Sequence, residues 1–145
     1  MEQFLYADTE DGLPQARIRD ALLASLEGQD LKKVLIIPPD FTRLHSGAGL
    51  ITNVYFHALT ERGAQVDILP ALGTHRPMTE EQVRIMFGDI PYSRFLPHNW
   101  RTGVVRLGEL SGSYLAEITG GLWREPISVE VNRRVMDPGY DLIIS

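Results

Sequence analysis

Apolar residues recur at helical spacing in two segments of the chain, residues 14–27 and 48–62. Each segment places its apolar side chains on one stripe, and a glycine that can close a helix follows each one. A third helix is predicted to begin at Thr79-Glu80-Glu81-Gln82, where the threonine hydroxyl and the glutamine amide can satisfy each other's backbone donors. This capping box predicts a short helix that ends near residue 87.

Short runs of Val, Leu and Ile without alternation lie between the helices, at residues 33–37 and 66–72. Unbroken apolar runs of this length are typical of strands that are buried on both faces of a sheet. Pro70 limits the regular pairing of the second run, because proline lacks a backbone N–H. The strand–helix–strand order predicts a right-handed βαβ unit with a parallel sheet.

The second half of the chain follows a different pattern. Residues 102–107 and 127–132 alternate apolar and polar positions, as half-exposed strands do. The stretch 111–123 between them is rich in glycine and serine, so we expect a loop or hairpin excursion there. Residues 140–145 resemble another buried strand. The patterns together predict an α/β, Rossmann-like three-layer fold with a mostly parallel sheet and a partly antiparallel C-terminal excursion, organised as a single domain over residues 1–145.

Length and composition narrow the class of protein. The chain has 145 residues, of which 43% are apolar and 23% charged, as is typical of one globular domain. A formal net charge of −5 disfavours nucleic acid or an anionic membrane as a partner. The absence of cysteine excludes disulfides, thiolate metal sites and cysteine nucleophiles. Residues 1–12 carry no long apolar run, so we expect no signal peptide. The longest apolar stretches of the chain are far short of the roughly 20 residues of a membrane helix, so we expect a cytoplasmic protein.

The predicted strand at residues 140–145 is the last element of the chain. A parallel strand needs a crossover and a covering helix, and neither follows it. We therefore expect the chain to be the N-terminal piece of a longer protein; a genuine C-terminal edge strand is the alternative. A truncated sheet exposes an apolar edge, so self-association is also expected.

Polar residues follow both strands of the predicted βαβ unit. Pro39-Asp40-Phe41-Thr42-Arg43 comes directly after the first strand, and Gly73-Thr74-His75-Arg76 follows the second. In open parallel sheets, ligands bind beyond the carboxyl ends of the strands. Two adjacent strands would therefore direct both segments into the same crevice.

The side chains of these segments suit anion binding and proton transfer. Arg43 can grip a carboxylate or phosphate, Thr42 can donate to a phosphate oxygen, and Asp40 can accept from a hydroxyl or orient Arg43. His75 can take and return protons near neutral pH. Each segment alone is also compatible with a plain loop, the first as a turn with a surface ion pair and the second with its histidine capping a helix. Their occurrence at consecutive strand ends favours a functional site.

The other histidines carry less weight. His45 lies just past the first segment and suits a solvated loop, whereas His57 lies in a predicted helix, where we expect a structural role. His98 follows a short apolar stretch and can point toward the same crevice or away from it. No phosphate-binding loop, complete GxGxxG, HExxH or GxSxG motif is present, and no two histidines have local metal-ligand spacing. We therefore predict no metal site within this chain.

At these residues the chain resembles the N-terminal domain of the nickel-pincer lactate racemase family. The family pattern is a strand that ends in P-D-x-T-R and, one helix and one strand later, a G-T-H-R-x-M-T run. Both runs are present in this order at residues 39–43 and 73–79. The likeness continues through Val131-Asn132-Arg133 to residues 140–144 and covers most of the chain after residue 31.

The resemblance implies a racemase or epimerase of a small, lactate-like 2-hydroxy acid. It implies that Asp40, Phe41, Thr42 and Arg43 contact a nickel-pincer nucleotide (pyridinium bisthiocarboxylate mononucleotide), with Arg43 also near the substrate carboxylate. By the same resemblance, His75 is one of two histidines that exchange the hydroxyl proton on opposite faces of the substrate, while the cofactor takes the hydride and returns it.

The chain lacks other parts of the family pattern. In the family, the second base, the cofactor-holding lysine and the nickel-binding histidine lie in a segment with a Pro-His pair and a Gly-Gly-x-Lys run, soon after a strand like 141–144. That segment is not present here, and His98 is not in the matching context. We therefore expect this chain alone to be inactive and without cofactor, and to need the C-terminal part of the same chain.

The exact substrate and two other interpretations of the chain stay open at this point. Leu44-His45-Ser46 departs from the proline-containing run usual in the family, which leaves the exact substrate undecided. The second interpretation is a nucleotide- or phosphate-binding module without catalysis, in which Arg43 and His75 donate hydrogen bonds to the anion. A structural or regulatory domain without a ligand is the third interpretation.

Overall fold

The computed structural model describes residues 4–145. Residues 1–3, part of the segment expected not to be a signal peptide, lie outside the described residues. The described helices and strands, in chain order, are α1 (Gln15–Ser25), β1 (Lys33–Ile36), a first 3-10 helix (Phe41–Ser46), α2 (Ala48–Glu61), β2 (Gln65–Ile68), α3 (Glu80–Phe87), a second 3-10 helix (Tyr92–Arg94), β3 (Val104–Leu110), α4 (Gly112–Ile118), β4 (Ile127–Asn132) and β5 (Leu142–Ile144). None of these described helices is long and apolar enough to cross a membrane.

The chain divides into two compact units. The first unit runs to Pro97 and also includes Gly139–Ser145, and the second unit is His98–Pro138. The expectation of a single domain over residues 1–145 stays a prediction, because this division does not establish whether either unit folds alone.

A three-stranded parallel sheet forms the centre of the first unit, with strand order β2-β1-β5. In the middle strand, β1, Val34 pairs with Val66 on one side and with Leu142 on the other. Val34 and Leu35 are both 0% exposed, and neighbouring side chains of a strand point to opposite faces, so both faces of β1 are covered. The parallel sheet is confirmed, and its double burial explains the apolar run without alternation.

The second strand is shorter than the predicted range 66–72. β2 covers only the first part of that range, because Pro70 has no N–H with which to continue the ladder. The chain nevertheless stays beside β1: the N–H of Ala71 donates to the carbonyl oxygen of Pro38 at 2.8 Å, and an isolated parallel bridge joins Pro39 to Ala71. The two segments that follow the strands therefore begin as direct neighbours.

An antiparallel two-stranded ladder, β3 with β4, forms much of the second unit. Its register runs from Leu110 opposite Ile127 to Val104 opposite Asn132, with an irregularity between Arg106 and Gly108. This ladder is the antiparallel excursion that the alternating pattern predicts. The α/β fold class, with a mostly parallel sheet and an antiparallel C-terminal excursion, is therefore confirmed.

The expectation of a loop or hairpin excursion over residues 111–123 is wrong in its first half, where α4 lies. The Ser111 side chain caps this helix by accepting from the N–H of Tyr114 at 3.2 Å, and Leu115 is buried beneath it. Gly112 allows close packing, because a Cβ there would collide with the carbonyl oxygen of Arg124. A serine cap and one buried leucine thus outweigh the poor helix propensity of the glycines and serines.

Candidate active site

Asp40 stands where the chain leaves the end of β1. Its side chain caps the first 3-10 helix: Oδ1 accepts from the N–H of Thr42 at 3.1 Å and from the Thr42 hydroxyl at 2.5 Å. The residue is only 6% exposed, so its carboxylate is a buried acceptor held by its own loop.

His75 reaches the same point from the end of β2. A tight turn brings it there: the His75 N–H donates to the carbonyl oxygen of Leu72 at 2.9 Å, and Gly73 takes a φ of +57°, which favours glycine. The Nδ1 atom of His75 lies 2.6 Å from Oδ2 of Asp40, while 58% of the histidine side chain remains exposed. The two segments predicted to share a crevice therefore meet through a direct side-chain hydrogen bond.

The electrostatics of this pair favour an ionised carboxylate. Burial by itself raises the pKa of Asp40, but the hydrogen bonds from the Thr42 hydroxyl, His75 and the Thr42 backbone together outweigh it, so the pKa lies below its ordinary value. An ionised carboxylate has no proton to donate, so the proton in the 2.6 Å contact belongs to Nδ1 of His75. The Nε2 atom of a neutral His75 is then an acceptor, and 58% of the side chain is exposed.

The other predicted site residues occupy different environments. Phe41 packs partly buried against the hydrophobic core. Arg43 is exposed, and its guanidinium has no hydrogen bond or ion pair within residues 4–145. Arg76, directly after His75, is likewise exposed and unpaired in the described part of the chain. No role was expected of Arg76, although its place beside a candidate base is a signal that can identify it.

The remaining histidines lie apart from this pair. His45 is exposed in the first 3-10 helix. His57 contacts Asp89 through Nε2 at 2.8 Å, and its ring makes a T-shaped contact with the ring of Phe56; its structural role stays a prediction. His98 belongs to the second unit, where its Nδ1 accepts from the side-chain amide of Asn132 at 2.9 Å.

A small apolar pocket lies on the other side of β1, at the carboxyl ends of β1 and β5. Its volume is about 170 Å³, and its walls include Ile37, Pro38, Pro39, Ile51, Thr52 and Ile144. Thr52 is 2% exposed, so this residue is a buried part of the pocket wall. Because β2 and β5 flank β1 on opposite sides, this pocket lies at the point where the strand order reverses, the usual ligand position in open α/β sheets.

Within residues 4–145, no cluster of three or more His, Asp or Glu side chains is placed to hold a metal ion. The first unit therefore offers a buried carboxylate–histidine pair, two exposed arginines and an apolar pocket. These groups can bind an anion, accept and return a proton, and receive a ring-sized apolar fragment.

Comparison with known proteins identifies related domains. The family model described as the lactate racemase N-terminal domain matches residues 15–144. A crystal structure of a protein from Thermotoga maritima superimposes on this chain with a TM-score of 0.82 and 29% sequence identity. The superposition covers 97% of this chain and 34% of that one, so this chain spans about a third of the length of that relative. No curated protein matches the chain.

Proposed function

Because the chain belongs to the lactate racemase N-terminal domain family, we propose that it forms part of the active site of a racemase or epimerase that acts on a small, lactate-like 2-hydroxy acid. The observation that carries this proposal is the hydrogen bond between Asp40 and His75 at the carboxyl ends of two adjacent parallel strands. A base in this position, backed by a buried carboxylate, is suited to exchanging the proton of a substrate hydroxyl.

In the proposed reaction, His75 accepts the hydroxyl proton through Nε2 as the carbon–hydrogen bond of the substrate breaks, and it returns the proton when that bond re-forms. The cofactor implied by the family, a nickel-pincer nucleotide, supplies a hydride acceptor when bound. Arg43 binds the substrate carboxylate or a cofactor phosphate, since its guanidinium is exposed and unpaired in the described chain.

Four residues, 40–43, are predicted to contact the cofactor, and the side chain of one of them is free to do so. Arg43 has a free, exposed side chain that matches the charge of a mononucleotide phosphate. Phe41 packs against the core, whereas Asp40 and Thr42 are hydrogen-bonded to each other. The proposed role of this chain in holding the cofactor is therefore to anchor a phosphate through Arg43, and its proposed partner is the C-terminal part of the longer protein.

Racemisation by the longest natural form of the protein, loaded with the nickel-pincer cofactor, tests this proposal. Chiral chromatography of a 2-hydroxy acid measures the rate of racemisation. We expect His75→Ala to lower kcat by roughly 10²–10⁴-fold, as is usual when a general base is removed. His45→Ala, which removes an exposed histidine of the neighbouring 3-10 helix, is the matched control and should retain activity. Full activity of His75→Ala would remove this histidine from the mechanism.

A nucleotide- or phosphate-binding module without catalysis is the second candidate. The exposed Arg43, which is unpaired in the described part of the chain, and the apolar pocket favour it, because they offer an anion donor and a ring-sized cavity. Calorimetric titration with mononucleotides and with inorganic phosphate tests this candidate. Binding should weaken in Arg43→Ala and persist in Arg19→Ala, an exposed arginine of α1. The absence of heat, or equal binding by both variants, counts against it.

The amino-acid composition supports proposals about the location and the partners of the protein. We propose a cytoplasmic location, which the cysteine-free sequence supports. The proposed partners are a small 2-hydroxy acid and the C-terminal part of the same protein, with self-association through apolar surface as a further expectation. The excess of 19 acidic over 14 basic residues supports neither nucleic acid nor an anionic membrane as a partner.

A further inference from the structure

We infer that Asp40 is a positioning residue, which holds His75 in one tautomer and orientation so that Nε2 is the atom that exchanges the proton. The resemblance places Asp40 among the cofactor contacts, whereas the structure places its carboxylate against the base. The catalytic consequence rests on the proposed function, but the tautomer follows from the geometry alone.

Both carboxylate oxygens of Asp40 already have partners. Oδ1 accepts from the backbone and hydroxyl of Thr42, and Oδ2 accepts from Nδ1 of His75 at 2.6 Å. With 6% of the residue exposed, little of the carboxylate surface remains for a ligand. Contact with a cofactor would require Asp40 to leave these partners, at the cost of unpairing a buried charge.

The carboxylate itself is fixed, so it can fix the imidazole. Asp40 follows the central strand and caps the first 3-10 helix, and the bridge between Pro39 and Ala71 holds the two loops at a constant separation. His75 stands on an exposed turn, with 58% of its side chain in solvent. An imidazole with this exposure and no partner would divide between tautomers and rotamers, whereas a charge-assisted hydrogen bond selects Nδ1–H.

The same contact assists the reaction when the base takes a proton. Proton transfer to Nε2 turns His75 into an imidazolium cation, and the buried carboxylate beside Nδ1 stabilises that charge. A carboxylate hydrogen-bonded to a histidine performs these two tasks, orientation and charge stabilisation, in serine hydrolases. Thr42 contributes indirectly, because its two donors keep Asp40 facing the histidine.

Nitrogen NMR of the histidine side chains tests the inference without substrate or cofactor. In the wild-type protein labelled with ¹⁵N-histidine, at a pH where the rings are neutral, Nδ1 of His75 should carry the proton and Nε2 should not. In Asp40→Asn the side-chain amide can donate to Nδ1, so the spectrum should shift to the opposite tautomer or to a mixture. A wild-type Nε2–H tautomer overturns the inference even if the variant does not fold.

The matched control is Asp89→Asn, which removes the other carboxylate that contacts a histidine, here His57 at 2.8 Å. It should change the signals of His57 and leave those of His75 as in the wild type. If Asp40→Asn leaves the His75 signals unchanged, Asp40 does not select the tautomer and the inference is wrong.

Activity separates positioning from cofactor contact. In the longest natural form of the protein, Asp40→Asn should lower kcat by roughly 10²-fold or more, with little change in KM or in bound cofactor measured by metal content. Loss of cofactor from the variant would show that Asp40 is a cofactor contact and would overturn the inference. If the wild-type protein racemises no 2-hydroxy acid, the proposed function fails, and the NMR result still decides the role of Asp40.

Discussion

The central strand of the first unit and the ladder of the second unit bury their side chains very differently. Three of the four residues of β1 are buried, whereas six of the seven residues of β3 are exposed. β1 has a parallel neighbour on each side, while β3 pairs with β4 alone. Three of the four residues of β1 are apolar, against four of the seven residues of β3, so both composition and the number of neighbouring strands favour the burial of β1.

The difference shows where the candidate site of the first unit and the exposed apolar face of the second unit lie. The covered sheet of the first unit holds two loop segments side by side at its carboxyl end, and the Asp40–His75 pair forms there. The ladder of the second unit instead presents one apolar face. This ladder face consists of Val105, Leu110, Ile127 and Val129, which are 36–41% exposed. In the register Leu110 lies opposite Ile127, whereas Val105 lies opposite Val131 and Val129 opposite Gly108. An apolar face of this kind marks a surface that a further element or chain can cover.

We expect the largest difference in stability when a charge is placed in β1 or on the ladder face. Val34→Asp buries a carboxylate in a fully covered strand, so we expect a loss of about 4 kcal/mol or more in the free energy of unfolding, or no folded protein. Val129→Asp introduces the same group on the exposed ladder face, where we expect a loss below about 1 kcal/mol. Urea unfolding measures both. Equal losses would show that the ladder face is covered in solution.

The sequence predicts much of the first unit because its elements follow local rules. The doubly buried run at Lys33–Ile36 marks β1, and the Thr79–Gln82 capping box forms as predicted, with Gln82 N–H donating to the Thr79 hydroxyl at 3.2 Å. The meeting of the two segments that contain Asp40 and His75 also follows from sequence, because adjacent parallel strands end at the same edge.

The missed features depend on contacts between distant residues or on weak local signals. The run at residues 66–72 contains no signal beyond Pro70 for where pairing stops, and only the hydrogen bond from Ala71 shows that the chain stays beside β1. The choice of His75 rather than Arg43 as the partner of Asp40 depends on a distance across the sheet, which periodicity does not supply. α4 escaped prediction because Gly112 and its neighbours favour loops, and tertiary packing reverses that preference.

Adding a methyl group at one close helix contact in each unit tests whether the two units unfold together. A Cβ at Gly49 of α2 would collide with the carbonyl oxygen of Met86, and a Cβ at Gly112 of α4 would collide with that of Arg124. We expect each Gly→Ala variant to lose about 1–3 kcal/mol of stability. Hydrogen exchange then locates the loss: in a single domain, either substitution increases exchange throughout the chain.

If the units are independent, Gly112→Ala should increase exchange only within residues 98–138 and leave β1 protected. Gly47→Ala gives a comparison without a collision, because nothing lies within 4 Å of a Cβ there, although its φ of +76° adds strain. A confined response to both collision variants would contradict the single-domain prediction.

The depressed pKa of Asp40 predicts a smaller, pH-dependent effect. Because the unfolded chain binds this proton more readily than the folded protein, the carboxylate stabilises the fold above its ordinary pKa, about 4, and this contribution is lost as pH falls through the folded value. Asp40→Asn should therefore be less stable than wild type at neutral pH and should lose less stability on acidification. Urea midpoints measured from pH 6 down to pH 2 give the comparison, and Asp20→Asn, an exposed position of α1, should follow the wild type. Parallel acid limbs for wild type and Asp40→Asn would contradict the prediction.

Weak self-association is the smallest effect that the comparison predicts. The sequence suggests an apolar sheet edge as its cause, whereas the structure also offers the ladder face, whose four apolar residues are 36–41% exposed. We expect light scattering to show a rising average mass as the protein is concentrated, and Val129→Lys to suppress the rise, because a second charge at the same position repels across any symmetric contact. Lys substitution at Ile85, an exposed apolar residue of α3 in the first unit, should leave the rise unchanged. A constant monomer mass at high concentration would show that the ladder face does not pair with itself and would contradict the prediction.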